Sequence, residues 1–338
     1  MGLFSFQQEL AIDLGTANTR IIHKDKVVVN EPSIVAINTM TGKMIAIGEK
    51  ARQMHGKTHE NIETIRPLRD GAIADFNVAV QMIRGMIKMI KWNLLFTPSL
   101  KIVVCIPSGC TEVERRAVRD SSELAGGRNV YMIYEPMAAA IGIGIDVEAP
   151  DGSMVVDIGG GITEIAVIAL GGIVCNESLR IAGDSFTSDI QTYMRNQRNI
   201  KIGERTAEEI KFGVGSALPE LGNPPPDFNV RGPNIMTAMA IEIPVSYQEI
   251  AHCLDKSISK IETAILSVLE QTPSELYADI FQRGIYLAGG SALLRGLDKR
   301  LTDKINMPFH VAEDPLLAVV RGTGISLKNI GKFSFLMR

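Results

Sequence analysis

The sequence predicts an α/β protein of two halves, and three observations point there. Short Ile- and Val-rich runs alternate with stretches of helical period, as in α/β proteins. Two segments, Ile12-Asp13-Leu14-Gly15-Thr16-Ala17-Asn18-Thr19 and Val156-Asp157-Ile158-Gly159-Gly160-Gly161-Ile162-Thr163-Glu164, each read as strand, tight Gly turn, strand, one in each half. The chain has 338 residues, room for about two domains with a core apiece.

Taken in order, strand-like runs fall at 10–14, 20–23, 27–29, 34–37, 102–106, 154–158, 165–169 and 285–288. A helix is expected over 78–91. Thr111-Glu112-Val113-Glu114 is a Thr-x-x-Glu capping box, so a helix starts there and runs towards Ala125, where Gly126-Gly127 stops it. Glu135-Pro136 opens a helix of small residues over 137–142. Gly222-Asn223-Pro224-Pro225-Pro226-Asp227 reads as a surface loop. Between 246 and 269 the apolar residues Ile250, Leu254, Ile258, Ile261, Ile265 and Leu269 recur every three or four positions, a long amphipathic helix.

Both glycine turns suit phosphate. A turn of this kind aims several backbone N–H groups into one concave nest, and Gly lets the backbone approach an anion closely. The Asp at the lip, Asp13 or Asp157, can hold Mg²⁺ through its waters, because Mg²⁺ prefers oxygen ligands and keeps part of its hydration shell. One such turn is also ordinary hairpin chemistry. Two, one per half, suggest clamps facing each other across a cleft, with a nucleoside triphosphate and Mg²⁺ between them.

Composition narrows the classes. Lys+Arg is 35 and Asp+Glu is 38, a net charge of −3, which gives no support to a nucleic-acid partner. Hydrophobic residues make up 46% and mean hydropathy is +0.13. Burial against copies of itself or against lipid would read this way; so would an Ile/Val-rich sheet. The four cysteines (Cys105, Cys110, Cys175, Cys253) lack zinc spacing and form no disulfide framework. Neither a signal peptide nor an apolar run long enough for a membrane span is visible, so a cytoplasmic protein is expected. No Gly-x-x-x-x-Gly-Lys-[Ser/Thr] occurs, which disfavours a P-loop NTPase.

The two turns resemble the phosphate loops of the actin, Hsp70 and sugar-kinase superfamily. Asn30-Glu31-Pro32-Ser33, Arg66-Pro67-Leu68-Arg69-Asp70-Gly71, Glu135-Pro136-Met137-Ala138-Ala139-Ala140-Ile141-Gly142 and Leu287-Ala288-Gly289-Gly290 narrow the resemblance to the MreB family of bacterial actins, from about residue 9 to about 327. The resemblance implies an actin-like (ribonuclease H-like) duplicated α/β fold with nucleotide in the central cleft. The first half would span 1–145 with an insertion at about 33–61. The second would span 146–338 with an insertion at about 183–243, its C-terminal segment (about 320–338) returning to the first half.

It also implies residue roles. Asp13 and Asp157 would hold Mg²⁺; Gly15, Thr16, Ala17, Asn18, Gly159, Gly160 and Gly161 would contact the phosphates of ATP. Glu135 would orient or deprotonate the attacking water, since phosphoryl transfer needs an oriented nucleophile and charge neutralisation; by position alone, a Glu favoured by the helix dipole is the better reading. Glu208, Glu209 and Lys211 would flank the nucleoside, and Gly289, Gly290, Ser291 and Ala292, which follow a strand and open a helix, would bind the nucleotide by close backbone approach and the helix N-terminus. Ile162 departs from the family pattern, which has Thr there beside Thr163. Isoleucine has no hydrogen-bonding atom, and Thr163 is expected on the opposite face of its strand, although it is the nearest candidate to serve with Glu135. ATP binding with slow turnover is the expectation.

Finally, the resemblance implies a homopolymer of paired protofilaments that maintains rod shape by organising cell-wall synthesis, with membrane proteins of the elongation machinery as partners. Contact with the inner face of the cytoplasmic membrane would fall to Trp92, Leu94, Leu95 and Phe96, or to the apolar start Met1-Gly2-Leu3-Phe4-Ser5-Phe6; the loop residues could equally cap the core. Two other readings stand beside this one: a filament protein that uses ATP only as a conformational ligand, and a small-molecule kinase on the same superfold.

Overall fold

The computed structural model describes residues 7–91 and 99–338. The first half opens with a meander, β1 (Gln7–Leu14), β2 (Asn18–His23) and β3 (Lys26–Pro32). A small unit follows: β4 (Val35–Asn38), β5 (Met44–Ile47), α1 (Glu49–Met54) and β6 (Ile62–Ile65), with a minor core of Ile34, Ala36 and Ala51. The short pair β7 (Leu68–Arg69) and β8 (Ala72–Ile73) leads to α2 (Phe76–Met89), capped by Asp75, whose carboxylate accepts from the Val78 amide. Then come β9 (Ser99–Ile106), α3 (Glu112–Leu124), β10 (Gly127–Tyr134) and α4 (Glu135–Ile143). The Thr111/Glu114 capping box forms in full.

The second half repeats the plan. β11 (Ser153–Ile158), β12 (Thr163–Ala169) and β13 (Gly172–Leu179) form the meander. An inserted unit follows, of α5 (Gly183–Asn196), α6 (Glu204–Val214) and the hairpin β14 (Phe228–Pro233) and β15 (Ala240–Val245). The chain returns through α7 (Tyr247–Gln271), also with a complete capping box, and α8 (Ser274–Arg283) to β16 (Ile285–Ala288). A single 3₁₀ turn (Gly290–Leu293), α9 (Leu297–Ile305), β17 (Phe309–Val311) and α10 (Ala318–Lys328) complete the chain.

The two large sheets are topological copies. Their strand orders are β10-β9-β1-β2-β3 and β17-β16-β11-β12-β13. In each, an antiparallel meander lies beside two parallel crossover strands. That places the C-terminal ends of β1 and β11, and therefore Asp13 and Asp157, at equivalent positions. Strand β11 is buried at every residue, which is why Met154-Val155-Val156 reads as a continuous apolar run rather than an alternating one.

The halves join along α4 and α10. A Cβ on Gly322 would lie 1.8 Å from the Ala138 carbonyl oxygen, and one on Gly142 would lie 1.8 Å from that of Ala318. Backbone meets backbone there, and only glycine fits. Helix α10 also packs on β1, β2 and β9 of the first half, and Met337 pairs with Met132 on β10. The sequence signals the small residues of α4, but not their partner 180 residues away.

Candidate nucleotide site

A cavity of about 480 Å³ lies between the halves. The turn after β1 contributes Gly15, Thr16, Ala17 and Asn18 to its wall, and the turn after β11 contributes Gly159, Gly160 and Gly161. The two turns touch. A Cβ on Gly160 would meet the Ala17 side chain at 2.6 Å, and one on Gly161 would meet Thr16 Oγ1 at 2.7 Å. These glycines are therefore needed for loop-to-loop approach as well as for any anion. Local bonds fix both turns: Ser33 Oγ donates to the Gly15 carbonyl at 2.6 Å, Thr16 Oγ1 accepts from the Gly71 amide at 3.1 Å, and Ser291 Oγ donates to the Gly159 carbonyl at 2.9 Å.

Three carboxyl groups line the floor: Asp13, Glu135 and Asp157. Burial raises the pKa of Asp13, against the opposing pull of Arg20. Asp157 is pushed up to about 7, first by burial, then by Asp13 and Glu164. Glu135 is raised well above its ordinary range by burial and by the charges of Glu164, Asp157 and Asp13. Asp157 Oδ1 is buried with no hydrogen-bond partner. An orphaned carboxylate oxygen among like charges costs free energy unless a cation satisfies it. The donor set, all oxygen, fits a hard cation such as Mg²⁺. Among the described residues no three acidic, His or Cys side chains are gathered tightly enough to chelate a metal by themselves, so phosphate and water oxygens would complete the shell.

Further out, Glu208 and Lys211 on α6 line the cavity, as do Gly289, Gly290 and Ser291. Lys211 Nζ donates to the Gly183 carbonyl and to Thr187 Oγ1, both at 2.8 Å, which ties α6 to α5. Gly289 takes φ +81°, and a Cβ there would sit 2.4 Å from Asp157 Oδ1. Glu209 does not face the cavity; it pairs with Arg205 at 3.0 Å on the outer face of α6. Ala292 packs into the core, and the helix expected to open from this segment is first a 3₁₀ turn (Gly290–Leu293), with α9 starting at Leu297.

Thr163 requires a correction as a companion to Glu135. Its hydroxyl donates to the Ile181 carbonyl at 2.6 Å, the residue is fully buried, and it does not line the cavity. Ile162 does line it, packed against Gly71. The strand alternation expected from sequence decides this. Trp92, Leu94, Leu95 and Phe96, like residues 1–6, lie outside the described residues; no helix among those described is long and apolar enough to cross a membrane.

Sequence reading missed several residues of the site. Arg20 lies directly across the hairpin from Asp13, a signal available once the turn is read as a hairpin. Asp184, Phe212, Arg295 and Leu316 also reach the cavity, brought there from distant segments with no local pattern to mark them.

Two topologically equivalent sheets, with facing glycine turns and acidic strand ends over one cleft, define a protein of the actin-like fold. A family model described as MreB/Mbl protein matches residues 7–334. The chain is 47% identical over 330 residues to the cell shape-determining protein MreB of Escherichia coli K12, covering 96% of this chain and 94% of that one. It is 43% identical over 328 residues to the cell shape-determining protein Mbl of Bacillus subtilis, covering 97% and 98%. Among solved structures, MreB5 of Spiroplasma citri bound to AMPPNP superposes with a TM-score of 0.91 at 37% identity, covering 96% and 97%. A MamK double helical filament subunit shares the fold, with a TM-score of 0.79 at 19% identity over 96% and 99%. The chain belongs to the MreB/Mbl family.

Proposed function

We propose that the chain binds ATP with Mg²⁺ in this cavity and, in the ATP form, assembles into filaments of paired protofilaments on the inner face of the cytoplasmic membrane. There it maintains rod shape by organising cell-wall synthesis with membrane proteins of the elongation machinery. The observation that carries the nucleotide reading is the pair of facing glycine turns above a floor whose Asp157 oxygen lacks a partner. The S. citri relative in its AMPPNP- and ADP-bound forms supports it, and the names of the bacterial relatives support the role in cell shape.

Asp13 and Asp157 would hold Mg²⁺, and the backbone amides of both turns would hold the phosphates. Mg²⁺ bound there would offset the charge of the phosphate oxygens. Glu135 at the head of α4 would orient water towards the terminal phosphate. Because ATP touches both halves, it binds the closed form better than the open one and shifts the population.

A second reading has its own observation. Ile162 lines the same cavity as Glu135, and the hydroxyl of the neighbouring Thr163 is committed to Ile181. ATP would then act chiefly as a conformational ligand, with hydrolysis slow.

Electron microscopy of the protein on a lipid monolayer tests the proposal, with Mg-ATP and without nucleotide. Paired filaments on lipid only with Mg-ATP are expected. Dispersed monomers in both conditions would overturn it and direct attention to phosphate transfer onto a small-molecule acceptor.

A further inference from the structure

The cavity floor holds a cation of its own. Arg20 stands on β2 in direct register with Asp13 on β1. Its Nη1 donates to Asp13 Oδ2 at 3.3 Å, and its side chain is only 12% exposed. Its Nε is buried without a partner, so Asp13 does not satisfy the whole guanidinium fork. Arg20 lines the same cavity as the phosphate turns. It is also the cation that acts on both Asp13 and Asp157.

The other two basic residues of the cavity wall are committed elsewhere. Lys211 is bonded to Gly183 and Thr187. Arg295 donates to the carbonyls of Phe212 and Gly215, both at 3.2 Å. Arg20 is thus the basic side chain seated among the floor carboxylates.

We propose that Arg20 is a resident counter-cation for the polyphosphate: it shares Asp13 with the divalent metal and lets nucleotide bind when the metal is absent. The inference rests on the nucleotide-binding reading of the cavity and deepens it. A polyphosphate entering beside buried carboxylates meets like-charge repulsion, which falls steeply only if a positive charge lies within a few ångströms. A guanidinium stays protonated at any working pH and offers donors in a fixed fork that suits phosphate oxygens. Asp13 engages only Nη1, so the fork is incompletely satisfied. When the metal is present it provides the same neutralisation, so Arg20 then matters less. Arg20 therefore sets how strongly nucleotide binding depends on the metal.

The test measures the Kd of fluorescently labelled ATP for the full chain in excess Mg²⁺ and in EDTA, for the natural protein and for Arg20→Gln and Arg20→Lys. The natural protein should bind in EDTA. Arg20→Gln should lose about tenfold or more of its EDTA affinity, the worth of one charge-assisted hydrogen bond, and only a few-fold in Mg²⁺. Arg20→Lys should recover most of the EDTA affinity. Equal losses in the two conditions, or none, would overturn the proposal. So would absence of EDTA binding by the natural protein, a result that needs no variant to fold. If the natural protein binds ATP in neither condition, the nucleotide reading itself fails, an outcome distinct from the others.

Discussion

Placing a hydroxyl at position 162 should speed ATP turnover. Ile162 is 7% exposed and faces the cavity from the end of the second glycine turn. Replacing it with Thr removes apolar volume and places a hydroxyl where the isoleucine side chain meets the cavity. The stability cost should be about 2 kcal/mol, about 1 for the lost terminal methyl and about 1 more for setting a hydroxyl in a mostly buried position. The gain is one hydrogen bond to an attacking water or a charged phosphate oxygen in the transition state. Bonds to charged groups are worth about 1.5–3 kcal/mol, which is about a ten- to hundredfold rise in rate. Single-turnover phosphate release from the Mg-ATP complex reads this directly, with a thermal melt to confirm the fold. Thr163→Val is the control. Its hydroxyl serves Ile181, so its loss should cost about 1 kcal/mol of stability and leave the rate unchanged. A folded Ile162→Thr variant with unaltered phosphate release would refute the argument, and so would a large rate loss in Thr163→Val.

Further outcomes follow from other parts of the molecule. Gly322→Ala drives a Cβ into the Ala138 backbone and should destabilise by about 2 kcal/mol or more, visible as a lower melting temperature. Glu204 on α6 of the second half ties to the first half, bonding Arg66 at 2.6 Å and His55 at 3.3 Å. Because the pairs are partly exposed, Glu204→Gln should speed nucleotide dissociation only about two- to fivefold, and less at high salt. For pH, Asp157 at about 7 lies above its ordinary value of 3.8, so the folded nucleotide-free protein holds its proton more tightly than the unfolded chain. Its stabilising contribution is present below the ordinary value and is lost as pH rises through about 7. Affinity for Mg²⁺ runs the other way, rising through the same window because the ligand must be ionised. A thermal melt series and an Mg²⁺ titration across pH 5 to 8 check both slopes, and parallel slopes would contradict the assignment.

Much of the frame was legible in the sequence because it is written locally. A capping box needs only Thr111 and Glu114, and both partners engage. The apolar period of 250–269 needs only helical geometry, and α7 spans Tyr247–Gln271. The two glycine turns each carry their chemistry within nine residues. Even the turning away of Thr163 follows from strand alternation. The resemblance to the MreB family was carried by such short segments, and the family match extends it over residues 7–334.

What tertiary structure alone decided is what lies between distant segments. Sequence gave Gly160 and Gly161 as anion loops; only folding shows them pressed on Ala17 and Thr16 of the other half. Gly142 and Gly322 look like ordinary helix residues until α4 and α10 cross backbone to backbone. Glu208 and Glu209 are neighbours in one charged run, yet the helix turns the first to the cavity and the second to Arg205. The raised carboxyl groups of Asp13, Glu135 and Asp157 depend on burial and mutual charge across three elements, neither of which a local pattern encodes. Local hydrogen bonding and periodicity are short-range and survive in the string of letters. Close approach, desolvation and charge coupling exist only once the two halves have met.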